Sequence, residues 1–269
     1  MAANDALTAE LSRTRPRAAG RLVSRVGDFV SHYVVYLVAP LATTLIPRSV
    51  ESARVNAEIV VFDGFDELDA IAPYEVLANA CRFAGEGSVR LVSLDGVGVT
   101  ASGSSSTARA PNGEREPTVT ASHGLRVEVD GTLGGSDPGL VVVPGGGWND
   151  RDSPGAWTEA ECGRLPAALA DLSDVTLASV CTGGMLLARA GLLDSVPAVT
   201  HHSALEDLRE TADVRDARVV DAGHLLTAGG ITAGLDLAFH LVAREVGDEL
   251  AERVAREMEY EPSDDVLVV

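Results

Sequence analysis

Residues 175–193 read Val-Thr-Leu-Ala-Ser-Val-Cys-Thr-Gly-Gly-Met-Leu-Leu-Ala-Arg-Ala-Gly-Leu-Leu. The run 175–180 is apolar and β-branched, as a buried strand requires. Residues 185–190 form an apolar helical segment, which Gly191 stops. Between them stand Cys181, Thr182, Gly183 and Gly184. The stretch predicts a strand, a sharp turn and a helix, with a thiol at the turn. That is the layout of a nucleophile elbow with Cys in place of Ser. The helix that follows aims its free N–H groups and positive dipole end at the sulfur, which predicts a lowered thiol pKa. Glycines after the thiol permit a tight turn and leave room for a substrate. A small buried cysteine at a strand end fits the same letters.

The same alternation recurs on either side of this stretch. Residues 140–143, Leu-Val-Val-Val, are a continuous apolar run of the kind that makes a central parallel strand. They end in Pro144-Gly145-Gly146-Gly147-Trp148, a loop able to present backbone N–H groups to an anion or oxyanion. Upstream, residues 58–62 form a strand and 63–66 a turn. A helix follows through Ala70, Ile71, Tyr74, Val76 and Leu77, with Pro73 near its first turn. Residues 89–94 make a second strand, 100–117 a Ser-, Ala-, Gly- and Pro-rich exposed loop, and 119–129 a hairpin around His123-Gly124. Helices are expected at 157–171, 206–210, 235–246 and 249–258. A short strand at 198–200 leads into His201-His202, and 217–220 with 225–227 flank the turn at 221–223. The expected class is α/β, a parallel sheet with helices on both faces.

Composition narrows the function classes. The 269 residues carry 40 acidic and 21 basic side chains, a net charge of -19, and every basic residue is Arg. Phosphates would be repelled, so a nucleic-acid partner is not expected. Such a hydrated acidic surface suits a high-salt cytoplasm, and stability should then rise toward molar salt in a melting series. Three cysteines make no disulfide framework, which fits a reducing cytoplasm. Residues 1–54 differ from the rest: Arg13, Arg15, Arg17, Arg21 and Arg25 precede an uncharged stretch at 29–47. Three readings stand for this extension: an anchor with its Arg-rich end inside, a helix lying on the domain, or a stretch upstream of the true start at Val55. Membrane contact is expected only through 29–47, and the domain proper is 55–269.

Open parallel sheets bind ligands at the carboxyl ends of their strands. The topology brings Asp69, the loop with Gly146 and Gly147, Cys181 and His201 to such ends. A lone His201-His202 pair is a poor metal site, so no metal is expected.

These segments resemble the ThiJ/PfpI superfamily, which has the flavodoxin-like, class I glutamine amidotransferase-like fold. The likeness is carried by residues 62–73 (Phe-Asp-Gly-Phe-Asp-Glu-Leu-Asp-Ala-Ile-Ala-Pro), 142–147 (Val-Val-Pro-Gly-Gly-Gly), 179–184 (Ser-Val-Cys-Thr-Gly-Gly), 190–194, 199–202 (Val-Thr-His-His) and 225–236. It covers about residues 56–262 and is most similar to the branch with isonitrile hydratase and the amidase-like domain of AraC-type regulators. In that branch Thr follows the cysteine, as Thr182 does here. The resemblance implies a cofactor-free lyase that converts an isonitrile to an N-substituted formamide. It places the nucleophile at Cys181, the acid/base carboxylate at Asp69 and an assisting hydroxyl at Thr182, with His201 beside them. It also implies a homodimer and a small-molecule substrate. Two positions depart from the pattern: His202 replaces an aromatic residue, and Trp148 follows the glycines, so both bear on the substrate pocket. The other functions open to such an elbow are a cysteine hydrolase or amidase, a deglycase, and a non-enzymatic redox sensor.

Overall fold

The computed structural model describes residues 55–95 and 118–269. The 1–54 extension, with its stretch at 29–47, and the 100–117 loop lie outside the described residues. Among the described residues no helix is long and apolar enough to cross a membrane.

The chain runs β1 (Asn56–Val60), α1 (Glu67–Ala84), β2 (Ser88–Ser93), β3 (Thr118–Thr120), β4 (Arg126–Glu128), β5 (Gly131–Thr132) and β6 (Leu140–Val143). It continues with α2 (Ala156–Cys162), α3 (Arg164–Ala170), β7 (Thr176–Val180), α4 (Gly183–Arg189) and β8 (Pro197–Ala198). After a 3₁₀ turn come α5 (Leu205–Leu208), β9 (Asp213–Val214), β10 (Val219–Asp221), β11 (Leu225–Ala228), α6 (Ala233–Glu245), α7 (Asp248–Glu257) and β12 (Val266–Val268).

Eight strands form the central sheet in the order β12-β10-β11-β7-β6-β1-β2-β5. From β11 to β5 every pairing is parallel. β10 turns back antiparallel to β11 and carries β12 parallel to itself. The sheet is therefore mostly parallel, with one reversed edge that a three-residue turn makes from Asp221. The middle strands are apolar on both sides because both sides are covered: Ile59, Val60, Val141, Val142, Ala178 and Val180 are wholly buried. One helical layer comprises α1, α6 and α7, and the other α2, α3 and α4.

Local chemistry sets the element ends. Asp66 caps α1 by accepting the Leu68 amide at 3.1 Å, and Gly85 closes the helix in the left-handed region (φ 77°). The helix starts early enough that Pro73 lies inside it rather than in its first turn, removing one rung of the backbone ladder. The single helix expected over 157–171 is two, because Gly163 (φ 73°) breaks it. The short strand before His201 pairs with β9 in a separate two-stranded sheet, not with the central one. The 119–129 hairpin forms as β3 and β4.

The C-terminal segment is tied down by one buried carboxylate. Asp236, at the start of α6, pairs with Arg218 and accepts Tyr260 Oη–H at 3.0 Å and the Ser263 amide at 2.8 Å. Asp236→Ala leaves the half-buried Arg218 without its partner and frees the tail that supplies β12. The expected loss is about 3–5 kcal/mol, read as a lowered melting temperature.

Candidate active site

Cys181 leaves β7 with φ 58°, a left-handed conformation that strains a residue with a Cβ. Both sides of its peptide are held. The Cys181 amide donates to Gly229 O at 2.8 Å, and Thr200 Oγ1 donates to the Cys181 carbonyl at 2.7 Å. Thr200 is buried, so this bond is shielded from water.

The turn then fits against the loop after β6. A Cβ on Gly183 would stand 2.1 Å from Val143 O, and one on Gly145 would stand 2.4 Å from the Thr182 amide. Neither position accepts a side chain without moving backbone. The two loops interlock, which is why glycine recurs in both.

The candidate groups are oriented by that interlock. Gly145 N–H donates to Asp69 Oδ2 at 3.0 Å, and Asp66 N–H donates to Gly145 O at 2.8 Å. Gly146 N–H donates to Thr182 Oγ1 at 2.9 Å, which leaves the Thr182 hydroxyl proton free to point elsewhere. Of the glycine loop's amides, that of Gly145 thus aims Asp69, and that of Gly146, expected to face an oxyanion, aims Thr182. The amides directed at the Cys181 sulfur are those of Thr182 and Ile231.

Asp69 and Cys181 face each other and each shifts the other's titration. Asp69 is fully buried, and its Oδ1 has no hydrogen-bond partner; the Cys181 thiol is the group that faces the carboxyl. Burial, with the nearby Asp66 charge, pushes the Asp69 carboxyl up to about 7. Burial and the Asp69 charge push the Cys181 thiol up to about 12, against the lowering by the two amides. The expected drop in thiol pKa is therefore reversed. α4 is seven residues long, and its dipole cannot offset desolvation and an adjacent carboxylate.

The remaining candidates border this pair. His201 Nδ1 takes the Ser203 hydroxyl at 2.8 Å and the Ser203 amide at 3.3 Å, and its ring lies over Gly230. Burial and the neighbouring His202 hold His201 below the usual histidine range. His202 is exposed, and its ring is tilted 44° to that of His201 with the centroids 4.1 Å apart. Trp148 is buried, packs edge-on to Trp157 at 5.0 Å and donates its indole N–H to Asp207 at 2.7 Å. It braces the glycine loop against α5. Gly147 (φ 65°) packs against the backbone of Pro154 and Gly155.

Among the described residues, Asp66, Glu67 and His123 form the one grouping with metal-ligand spacing. Glu67 is already engaged there by the Ser122 hydroxyl and the amides of His123 and Leu125, besides His123 Nδ1 at 2.7 Å. Burial raises Glu67, but these bonds outweigh it and hold the carboxyl near 2. Its work is to latch the β3–β4 hairpin to the start of α1.

Sequence reasoning missed Thr200 and Ile231. Each acts through a single atom brought in from a distant loop, and no local pattern announces that. The Gly229-Gly230 pair before Ile231 was the one available signal of a close backbone approach.

A family model described as DJ-1/PfpI matches residues 55–244. The chain is 35% identical over 207 residues to an isonitrile hydratase of Pseudomonas putida, covering 76% of this chain and 78% of that protein. Its fold is similar to that of a ThiJ/PfpI family protein from Pseudomonas syringae, with a TM-score of 0.60 and 23% identity over 81% of each chain. It is also similar to an AraC family transcriptional regulator from Pseudomonas putida, with a TM-score of 0.58 and 22% identity over 76% of this chain and 98% of that one. With the elbow at Cys181 and the mostly parallel sheet that carries it, these matches establish that the chain belongs to the DJ-1/PfpI family.

Proposed function

We propose that the protein is a cofactor-free lyase that adds water to an isonitrile, giving an N-substituted formamide. The observation that carries this reading is the buried Asp69 carboxyl, raised to about 7 and facing the Cys181 thiol, with the Thr182 hydroxyl held beside them by Gly146 N–H. The similarity to an isonitrile hydratase over most of both chains supports it.

The chemistry needs a nucleophile and a carboxyl that gives and takes protons at neutral pH. A carboxyl near 7 meets the second need. The thiol proton passes to Asp69 as Cys181 Sγ bonds to the terminal isonitrile carbon, and Asp69 then protonates that carbon. The product of this step is a thioimidate, R–N=CH–S–Cys181. Asp69, now a carboxylate, takes a proton from water as the hydroxide adds to the same carbon, and returns it to nitrogen. The hydroxyl proton is then lost to Asp69, the C–S bond breaks, and R–NH–CHO leaves with the Asp69–Cys181 pair restored. The amides of Thr182 and Ile231 stabilise the sulfur while it carries charge, and the Thr182 hydroxyl holds the intermediate. A Cys–His hydrolase would instead require a basic imidazole nitrogen on the thiol, whereas His201 Nδ1 accepts the Ser203 amide, which puts the neutral ring's proton on Nε2.

The test is turnover of a simple alkyl isonitrile to its formamide by the full chain, followed by chromatography. Formamide production is expected. A folded protein that produces none would reject the reading.

A further inference from the structure

The groups around the Cys181 sulfur are almost all buried: Asp69, Thr182, Thr200 and the sulfur itself. A substrate carbon bonded to that sulfur must still lead its substituent out to solvent. The residues beside the site that reach solvent are four glycines without side chains (Gly146, Gly147, Gly229 and Gly230), the polar Asp66, His201, His202 and Thr232, and Ile231. Gly230 carries the His201 ring. That leaves Ile231 as the large apolar side chain at the opening, 37% exposed.

Its position is fixed by more than packing. Its loop is fastened to the nucleophile's own backbone, the Cys181 amide donating to Gly229 O at 2.8 Å two residues before Ile231, and its N–H faces the sulfur. Its φ of 41° is strained for a β-branched residue, and the following turn locks it, with Gly234 N–H donating to Ile231 O at 3.1 Å. The side chain therefore cannot swing away without giving up the amide that faces Cys181.

We infer that Ile231 is the specificity-determining residue of the Cys181 site: its side chain contacts the substituent of the bound substrate, favouring compact apolar groups and excluding bulky ones. This deepens the isonitrile reading, and one of its two readouts is independent of that reading.

The experiment compares wild type, Ile231→Ala and Ile231→Phe. The first readout is kcat/KM for cyclohexyl isonitrile relative to methyl isonitrile. The second is the rate of Cys181 alkylation by N-phenyl iodoacetamide relative to iodoacetamide, followed by peptide mass spectrometry. Ile231→Ala keeps the backbone amide and should raise both bulky-to-small ratios about tenfold, the scale of a few methylenes in a pocket. Ile231→Phe should lower them. Ratios that stay at the wild-type value in Ile231→Ala would overturn the inference, as would an equal loss for small and bulky reagents. Should the wild type consume no isonitrile, the alkylation ratio decides alone: a shift upholds the role of Ile231 while the isonitrile reading falls, and no shift removes both.

Discussion

Cys181→Ala should abolish isonitrile turnover, lowering kcat by about a thousandfold or more, because no other group near Asp69 can form the bond to carbon. Cys181→Ser tests the point more sharply. It keeps the size and the φ of 58° at the elbow, and a hydroxyl still faces Asp69. Serine is nevertheless a far weaker nucleophile and remains protonated there, so activity should fall nearly as far. Melting temperatures close to wild type in both variants would show that the loss is chemical. Formamide production surviving in Cys181→Ala would refute the covalent route outright.

Asp69→Asn should produce two effects of opposite sign. Activity should fall by about 10²–10⁴-fold, since the group that moves the proton is gone while the Gly145 bond is kept. Stability should rise at alkaline pH. The Asp69 carboxyl sits near 7 in the folded protein against an ordinary value of 3.8. Between those values the folded state binds more protons than the unfolded chain, so the wild type loses stability as pH rises through that window. The cost is complete above pH 7 and absent below about pH 4. It amounts to up to about 4 kcal/mol, which the amide avoids. The Cys181 thiol, raised above its ordinary value, stays protonated in both states across this range and adds nothing. Denaturant midpoints at pH 4 and pH 8 check the sign: the variant should gain on the wild type only at pH 8.

The central sheet was legible because its strands are buried on both faces and so read as unbroken apolar runs, Leu-Val-Val-Val at 140–143 being the plainest. Its reversed edge was not. β12 contains three residues, and its pairing with β10 depends on Asp236 holding the tail, a contact across 27 residues of chain. The helix expected over 157–171 failed at Gly163, where a single left-handed residue outweighs good propensity on either side. At the site, Cys181, Asp69 and Thr182 were legible because each carries its chemistry in its own side chain. The direction of the thiol pKa was not. It is set by burial and by Asp69, which lies far away in sequence, whereas the helix dipole that could be read locally is the weaker effect.

The interlock of Gly145 with Gly183 has a consequence for how this site can change. The two loops behave as a single inherited part, because a side chain gained on either one displaces the backbone that aims Asp69 and Thr182. A side chain at Gly145 or Gly183 alone forces backbone of the facing loop to move. On the proposed mechanism, new substrates would be reached from the other rim, through residues 201, 202 and 231, whose side chains do not build the Asp69–Cys181 pair. A library aimed at altered selectivity should hold residues 144–147 and 181–184 constant and spend its diversity there.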